Sequence, residues 1–209
     1  MSISYVLSIL NEDFTDDNDF RWPSAGQVAY ELTDFSKGLQ GFLYGCGYAA
    51  RATNNSQWLL VAVPTETLID LGSVVLFPKG EVILSSKDPS TIVAKLEALD
   101  PETLRLPVIG SVRKCMDFGS IVGSGNYGTA ISEYSGISYS GIGGTSVSGA
   151  LGRSIVGEGG KAKSGLGGFL EFQYNDQKST QFFVDGGTVK ANTFYRCENG
   201  RLIEESTED

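Results

Sequence analysis

The sequence contains no histidine among its 209 residues. This absence excludes Ser-His-Asp and Cys-His catalysis, zinc sites built on imidazole ligands, and pH switches that depend on histidine. No other arrangement of nucleophile, base or metal ligand rises above background. We therefore expect a non-enzymatic protein without catalytic residues, metal ligands or a bound cofactor.

Cysteine is scarce, with three residues: Cys46, Cys115 and Cys197. They are far apart and form no CxxC pair, whereas a small secreted scaffold would carry a dense and even set. The N-terminal segment lacks a basic region, and Ser4 and Ser8 interrupt its apolar run, so it predicts neither a signal peptide nor a membrane span. We expect buried, reduced thiols in a cytoplasmic protein.

Basic side chains are outnumbered, since 16 Lys and Arg stand against 25 Asp and Glu, and the net charge is −9. Binding to a phosphate backbone depends largely on lysine and arginine, so direct nucleic-acid binding is disfavoured. An acidic surface suits solubility, and it also suits a protein partner with a basic surface.

Two stretches resemble ligand-binding motifs in composition only. Counted from Asp13 or Asp17, the acidic segment 11–19 lacks the glycine and glutamate that a calcium loop needs at its sixth and twelfth positions. Residues 123–128 match GxGxxG, but glycine-spaced strands follow in place of the helix that a dinucleotide site requires. Residues 128–168 contain no aspartate, which excludes a calcium-binding β-roll.

Residues 1–112 predict a small α+β unit with few helices. Four segments of strand length are apolar: 3–10, 58–63, 74–77 and 81–85. Asp88 and Pro89 form a helix start signal, and apolar residues at helical spacing follow, so a helix is predicted over 89–99.

A glycine- and aromatic-rich segment lies within this unit. Its glycines are residues 38, 41, 45 and 47. They alternate with Phe42, Tyr44 and Tyr48. Glycine lets a backbone turn tightly or approach a neighbour closely. The segment is therefore either a turn packed by aromatic rings or part of a small-ligand pocket, which Trp22 and Trp58 would complete.

Glycine then recurs at every eighth residue: Gly128, Gly136, Gly144, Gly152, Gly160 and Gly168. Two and four residues after each glycine, the side chain is nearly always serine or alanine. A short fixed period of strand and glycine turn is typical of a β-solenoid. We predict one over residues 117–172, with two octads per coil and therefore about three coils.

Larger side chains occupy the third position after four of these glycines: Ile131, Tyr139, Val147 and Ile155. Neighbouring strand positions face opposite sides, so either the small or the large residues line the interior. The monotony of the serine and alanine positions favours a thin interior of small residues. The four larger residues would then form a flat apolar outer face, which needs a cover from the N-terminal unit or another subunit.

Residues 173–209 predict a cap of strands. Glu198-Asn199-Gly200 separates two strand-like segments, and Asn-Gly is the strongest hairpin signal in the chain. Terminal repeats of a solenoid need such a cap. The chain as a whole is thus expected to be mainly β, with an α+β unit, an octad solenoid and a C-terminal hairpin.

Several motifs occur in a recognisable order: GLQGFLYG at 38–45, LGSVVLFPKGEVILSS at 71–86, the octads, and VKANTFYRCENGRLIEE at 189–205. This order resembles an uncharacterised family of phage and bacterial proteins with a GLHGWLWG-like segment, a KFPRG-like turn and glycine-rich octads. The resemblance covers most of the chain, which has Gln40 where the family often has histidine. It implies a phage or mobile-element context and no particular activity.

Three functions are compatible with these patterns. The first is a phage-type binding protein that inhibits a host factor, for example an anti-phage defence component such as CRISPR, by protein–protein contact in the host cytoplasm. The second is a structural or assembly module that forms homo-oligomers through the four larger solenoid residues. The third is a protein that binds or sequesters a small ligand, such as a nucleotide, in the aromatic segment. We rank them in this order.

Overall fold

The structure, a computed structural model, describes residues 2–30, 38–47, 52, 55–174 and 178–205. The chain divides into two compact units, Met1–Ile109 and Gly110–Asp209. The expected mainly β architecture is confirmed: an α+β unit, an octad solenoid and terminal strands follow one another along the chain.

The first unit contains a seven-stranded antiparallel sheet with the strand order β2-β7-β4-β1-β3-β6-β5. Its strands are β1 (Ile3–Leu10), β2 (Gly26–Ala29), β3 (Leu39–Leu43), β4 (Gln57–Pro64), β5 (Ile69–Asp70), β6 (Val75–Phe77) and β7 (Lys79–Ser86). Short 3₁₀ helices lie at Thr65–Thr67 and Pro101–Arg105. Only Pro78 separates β6 from β7, although three strands lie between them in the sheet. The sheet must therefore curl until the two strands meet at this corner.

The helix α1 (Pro89–Leu99) has the predicted bounds. Asp88 caps it, since its carboxylate accepts a hydrogen bond from the Ser90 backbone N–H at 3.0 Å. Ile92, Val93 and Leu96 are its buried residues, and they lie at the spacing of one helical face.

The second unit begins with four coils of a β-solenoid, and strands that close its C-terminal end follow them. The solenoid strands are β8 (Val112–Cys115), β9 (Ile121–Gly123), β10 (Thr129–Ser132), β11 (Ile137–Ser140), β12 (Thr145–Val147), β13 (Arg153–Val156), β14 (Lys161–Lys163) and β15 (Phe169–Gln173). Even-numbered strands stack in parallel as one sheet, here the even wall, and odd-numbered strands stack as the other, the odd wall.

The solenoid has about four turns over residues 112–172, one more than predicted, and it begins earlier than residue 117. Most paired residues are sixteen apart, such as Thr129 and Thr145, as two octads per coil require. The eight-residue glycine pattern does not reveal the first coil, for two reasons. Ser111 and Ser120 occupy its glycine positions, and Val112 pairs with Thr129 across seventeen residues instead of sixteen.

Serine and alanine line the interior, as the sequence predicts. The two inward rows are fully or almost fully buried: Ala130, Ser138, Ser146, Ser154 and Ala162, and Ser132, Ser140, Ser148 and Ser164. Hydroxyl groups hydrogen-bond across the interior, for example Ser138 with Ser146 at 2.7 Å and Ser148 with Ser154 at 2.9 Å. These bonds offset the cost of burying those hydroxyl groups, whereas the Ser132 and Ser140 hydroxyls are buried without a hydrogen-bond partner among the described residues.

Antiparallel strands close the C-terminal end of each wall. They are β16 (Ser179–Phe183) beside β15, and the hairpin of β17 (Tyr195–Glu198) and β18 (Arg201–Glu204) beside β14. Here the thin interior widens into an apolar core, which contains Val156, Leu170, Phe172, Val184 and Tyr195. The cap thus buries the apolar side chains that the last coil would otherwise expose.

Candidate protein-binding surface

The odd wall turns a row of apolar side chains away from the solenoid interior. The outward residues of its strands are Ile121, Gly123, Ile137, Tyr139, Arg153, Ile155, Phe169, Glu171 and Gln173. Phe183 of β16 continues the row, with its ring centroid 5.3 Å from that of Phe169. Ile121 is 72% exposed and Phe183 is 51% exposed, so solvent reaches this surface from its first strand to its last.

Tyr139 is held against the wall by a glycine. A Cβ placed on Gly123 would lie 2.0 Å from the Tyr139 Cζ atom, so only glycine leaves space for the ring of Tyr139, which belongs to the next coil. The ring therefore lies across the neighbouring strand β9, and Tyr139 remains 44% exposed.

The turns that precede the odd-wall strands extend the apolar surface. Four of their side chains are exposed hydrophobics: Phe118, Tyr134, Leu151 and Leu166. The rings of Phe118 and Tyr134 stack with centroids 5.5 Å apart, although Phe118 is 76% exposed. Isolated exposed apolar residues are ordinary, whereas large exposed apolar patches are typical of interaction surfaces. We call the outward residues of the odd wall, together with these turn residues and Phe183, the odd-wall surface.

The charges on the odd-wall strands neutralise each other. Arg153 forms an ion pair with Glu171, which also accepts hydrogen bonds from Gln173 Nε2 at 3.2 Å and Gln181 Nε2 at 3.1 Å. Glu171 is 5% exposed, so its carboxylate interacts with these neighbouring side chains and hardly with solvent. The strand residues of this surface therefore present apolar and amide groups with no net charge.

The even wall has a different character. Its outward charged residues are all basic: Lys114, Lys161 and Lys163. The Nζ atoms of Lys161 and Lys163 lie 5.1 and 4.5 Å from the Phe194 ring centroid, which is cation–π geometry. The even wall thus combines three basic side chains with the outward apolar residues Val112, Ile131 and Val147.

The structure divides the four residues predicted to share one outer face. Ile131 and Val147 lie on the even wall, in register with Lys114 and Lys163. Tyr139 and Ile155 lie on the odd wall, paired with each other across β11 and β13. An alignment of the sequence in eight-residue repeats places residues of both walls in the same column, whereas one full coil has sixteen residues. Aligning the sequence at sixteen would have separated the walls and exposed the row that includes Ile121, Ile137 and Phe169.

The aromatic residues of the first unit do not converge on one site. Trp22 is buried in a core with Leu59 and Phe77, and its indole N–H donates to Asp16 Oδ2 at 3.1 Å. Trp58 precedes Leu59 in β4, and its side chain points to the opposite face of the sheet. The structure therefore places the two tryptophans in separate layers.

The glycine-rich segment forms a strand and a tight turn. Phe42 belongs to β3, and a Cβ on Gly47 would lie 2.3 Å from the Phe42 ring. Tyr44 follows the strand with a positive φ of 51°, and Gly45 continues the turn at 69°. Aromatic packing against glycine thus accounts for much of the pattern, and Tyr48 lies outside the described residues.

Cys46, Cys115 and Cys197 are reduced thiols, and each is half-buried, whereas buried thiols were predicted. Cys197 Sγ lies 3.0 Å from the Tyr174 hydroxyl, and this hydrogen bond raises the pKa of Tyr174. Both groups belong to the C-terminal cap.

Within the described ranges, no group of three or more His, Cys, Asp or Glu side chains is placed to hold a metal ion. In the same ranges, no helix has the length and apolar character needed to cross a bilayer. Comparison with known proteins finds no matching family model, curated protein or solved structure.

Proposed function

We propose that the chain is a non-enzymatic binding protein that acts through protein–protein contact at the odd-wall surface. The observation that carries this proposal is the set of exposed apolar side chains along a parallel sheet, which only the Arg153–Glu171 ion pair interrupts on strands β9 to β13 and at the start of β15. The partner would present an apolar surface without strong charge at the point of contact, because the odd-wall strands offer no unpaired charge to complement.

The resemblance to phage and bacterial proteins supports a more specific proposal. The partner is a host factor, for example a component of an anti-phage defence system such as CRISPR, and binding inhibits it. The acidic N-terminal unit would favour a partner that also carries a basic region. Such a protein acts stoichiometrically and needs no catalytic group.

Affinity capture with the full chain from a bacterial lysate tests the contact surface. The test variant is Ile121→Ser with Ile137→Ser, on the first two strands of the odd wall. The matched control is Val112→Ser with Ile131→Ser, on the first two strands of the even wall. We expect the wild type and the control to retain one stoichiometric partner and the odd-wall variant to lose it. Retention by the odd-wall variant, or no partner for the wild type, contradicts the proposal.

Phage plating tests the inhibitory role separately. The wild-type chain, expressed in a bacterium that carries the captured defence factor, should restore plaque formation by a restricted phage. The odd-wall variant should not restore it, while the even-wall control should. Unchanged plating with confirmed partner binding would reject inhibition of defence while retaining the binding surface.

A further inference from the structure

The strand β16 forms the C-terminal edge of the odd-wall sheet, and its outer side is unpaired. Its register with β15 is regular from Phe169–Phe183 to Gln173–Ser179. Beyond the strand ends, Val184 N–H donates to Gly168 C=O at 2.9 Å and Tyr174 N–H donates to Lys178 C=O at 2.9 Å. Hydrogen-bonded and non-bonded pairs alternate in an antiparallel ladder, so the even-numbered residues carry the bonds to β15.

The odd-numbered residues of β16 therefore direct their backbone groups outward. These residues are Ser179, Gln181 and Phe183. Among the described residues, no backbone hydrogen bond from outside the β15–β16 pair reaches any of them. The unpaired N–H and C=O groups of these three residues form a template on which another extended strand can pair.

This edge lacks the usual protection against strand pairing. The three described sheets have six edge strands: β2, β5, β8, β9, β16 and β18. β8 and β18 carry charged residues, β5 and β9 have two and three residues, and β2 begins with glycine and has four. β16, with the sequence STQFF, is the longest at five residues, and it contains no charge, proline or register shift. Native edges are ordinarily blunted by such features.

We propose that β16 pairs with β16 of a second copy of this chain about a twofold axis through Gln181. The inference does not rest on the proposed function. The unpaired positions are symmetric about Gln181, so Gln181 would pair with Gln181 of the second copy, and Ser179 with Phe183. About six backbone hydrogen bonds would form from groups that now lack a strand partner. Two odd walls would then become one continuous sheet.

Side-chain size and charge fit a second copy better than an unrelated strand. The small Ser179 would lie opposite the large Phe183 ring, which already packs on Phe169 of its own chain. Two copies with a net charge of −9 repel each other over most contacts, and β16 brings no charged side chain into the pairing. Pairing at this edge therefore places no like charges directly opposite each other in the two strands.

Gln181→Pro tests the pairing directly. The Gln181 backbone N–H points away from β15, so proline at this position should remove a hydrogen bond to the second copy and leave the β15–β16 hydrogen bonds intact. Gln181→Thr is the matched control, because it keeps the N–H and suits a strand. We expect sedimentation to give twice the 22.3 kDa chain mass for the wild type and the control, and the single mass for Gln181→Pro.

Amide hydrogen exchange is the second measurement, and it reports on the strand pairing itself. The Phe183 amide should exchange slowly in the wild type and at least tenfold faster in Gln181→Pro, while the Leu170 amide keeps its protection in both. A monomeric wild type overturns the proposal, and so does a Gln181→Pro variant that remains dimeric. Protection of Phe183 only in a complex captured from lysate also overturns it, and would assign the edge to a strand of another protein.

Discussion

The glycines that repeat every eight residues are required by close approach between coils, not by backbone conformation. A Cβ on Gly152 would lie 2.7 Å from the Gly136 carbonyl oxygen and 2.7 Å from Ser148 Cβ. The positive φ angles occur one residue earlier, and several of those residues are not glycine, such as Tyr127, Ser135 and Leu151. The sequence pattern alone suggested the opposite assignment, in which the repeated glycine makes the turn.

This distinction predicts the effect of Gly152→Ala. The added methyl group must displace backbone of the coil below, so we expect a loss of about 1–3 kcal/mol in the free energy of unfolding. Gly187→Ala is the matched control, since a Cβ there would meet only Asp185 Oδ1 at 3.8 Å, an ordinary contact, and Gly187 has no positive φ. It should change stability by less than about 0.5 kcal/mol. Urea unfolding followed by far-UV circular dichroism compares them, and equal effects would disprove the close-approach explanation.

The residue types predict the period of the repeat. They do not predict which wall each outward residue occupies. Serine and alanine at fixed offsets were enough to predict a thin interior, because few other side chains fit between closely spaced sheets. The outward residues carry no such constraint, so Tyr139 and Val147 look equivalent in an eight-residue alignment. Only the sixteen-residue coil places them on different walls.

At the scale of elements, the best-predicted segments carry their own local signals. The helix α1 follows an Asp88-Pro89 start signal, and the hairpin of β17 and β18 turns at Asn199 and Gly200, which both have positive φ. By contrast, the sequence around β3 predicts either a packed turn or part of a ligand pocket, because Gly41 is a poor strand former in isolation. In the structure, a Cβ on Gly41 would lie 2.5 Å from Val6 Cγ1, so the neighbouring strand requires the glycine.

The cap of α1 leads to a pH-dependent prediction. Hydrogen bonds from the Ser90 side chain and backbone, and then from the Thr91 hydroxyl, lower the pKa of Asp88. A carboxylate whose folded pKa lies below its unfolded value near about 4 stabilises the protein fully above that pH. The contribution is lost as the pH falls through the folded pKa.

Asp88→Ala should therefore lower the free energy of unfolding by about 0.5–2 kcal/mol at neutral pH, and by progressively less as the medium is acidified below about pH 4. Asp88→Asn is the control, because asparagine caps a helix without a titrating charge. Both tryptophans lie in the first unit, so their fluorescence follows the unfolding of the unit that contains α1. If the difference in free energy of unfolding between wild type and Asp88→Ala grew in acid, the role of Asp88 as a charged helix cap would be contradicted.

At the scale of the whole molecule, the acidity is unevenly distributed. Residues 1–109 carry seven basic and fourteen acidic side chains, a net charge of −7, whereas residues 110–209 carry nine and eleven, a net charge of −2. Composition alone predicted an acidic protein with a basic partner. The division into units adds that long-range attraction to the proposed partner would come mainly from the first unit, whereas the odd-wall surface lies in the second.

The two units should therefore affect different rate constants of the proposed complex. Asp19→Asn with Glu66→Gln removes two exposed charges from the first unit and should slow association by about 2- to 10-fold at low ionic strength, with little change in dissociation. Ile121→Ser with Ile137→Ser should mainly accelerate dissociation, because short-range packing sets the lifetime of a complex.

Glu133→Gln with Glu198→Gln, which removes the same charge from the second unit, is the control and should change association much less. Surface plasmon resonance with the captured partner over a salt series separates these effects. Equal slowing by both charge variants would show that net charge alone matters, and no salt dependence would exclude steering by the acidic unit.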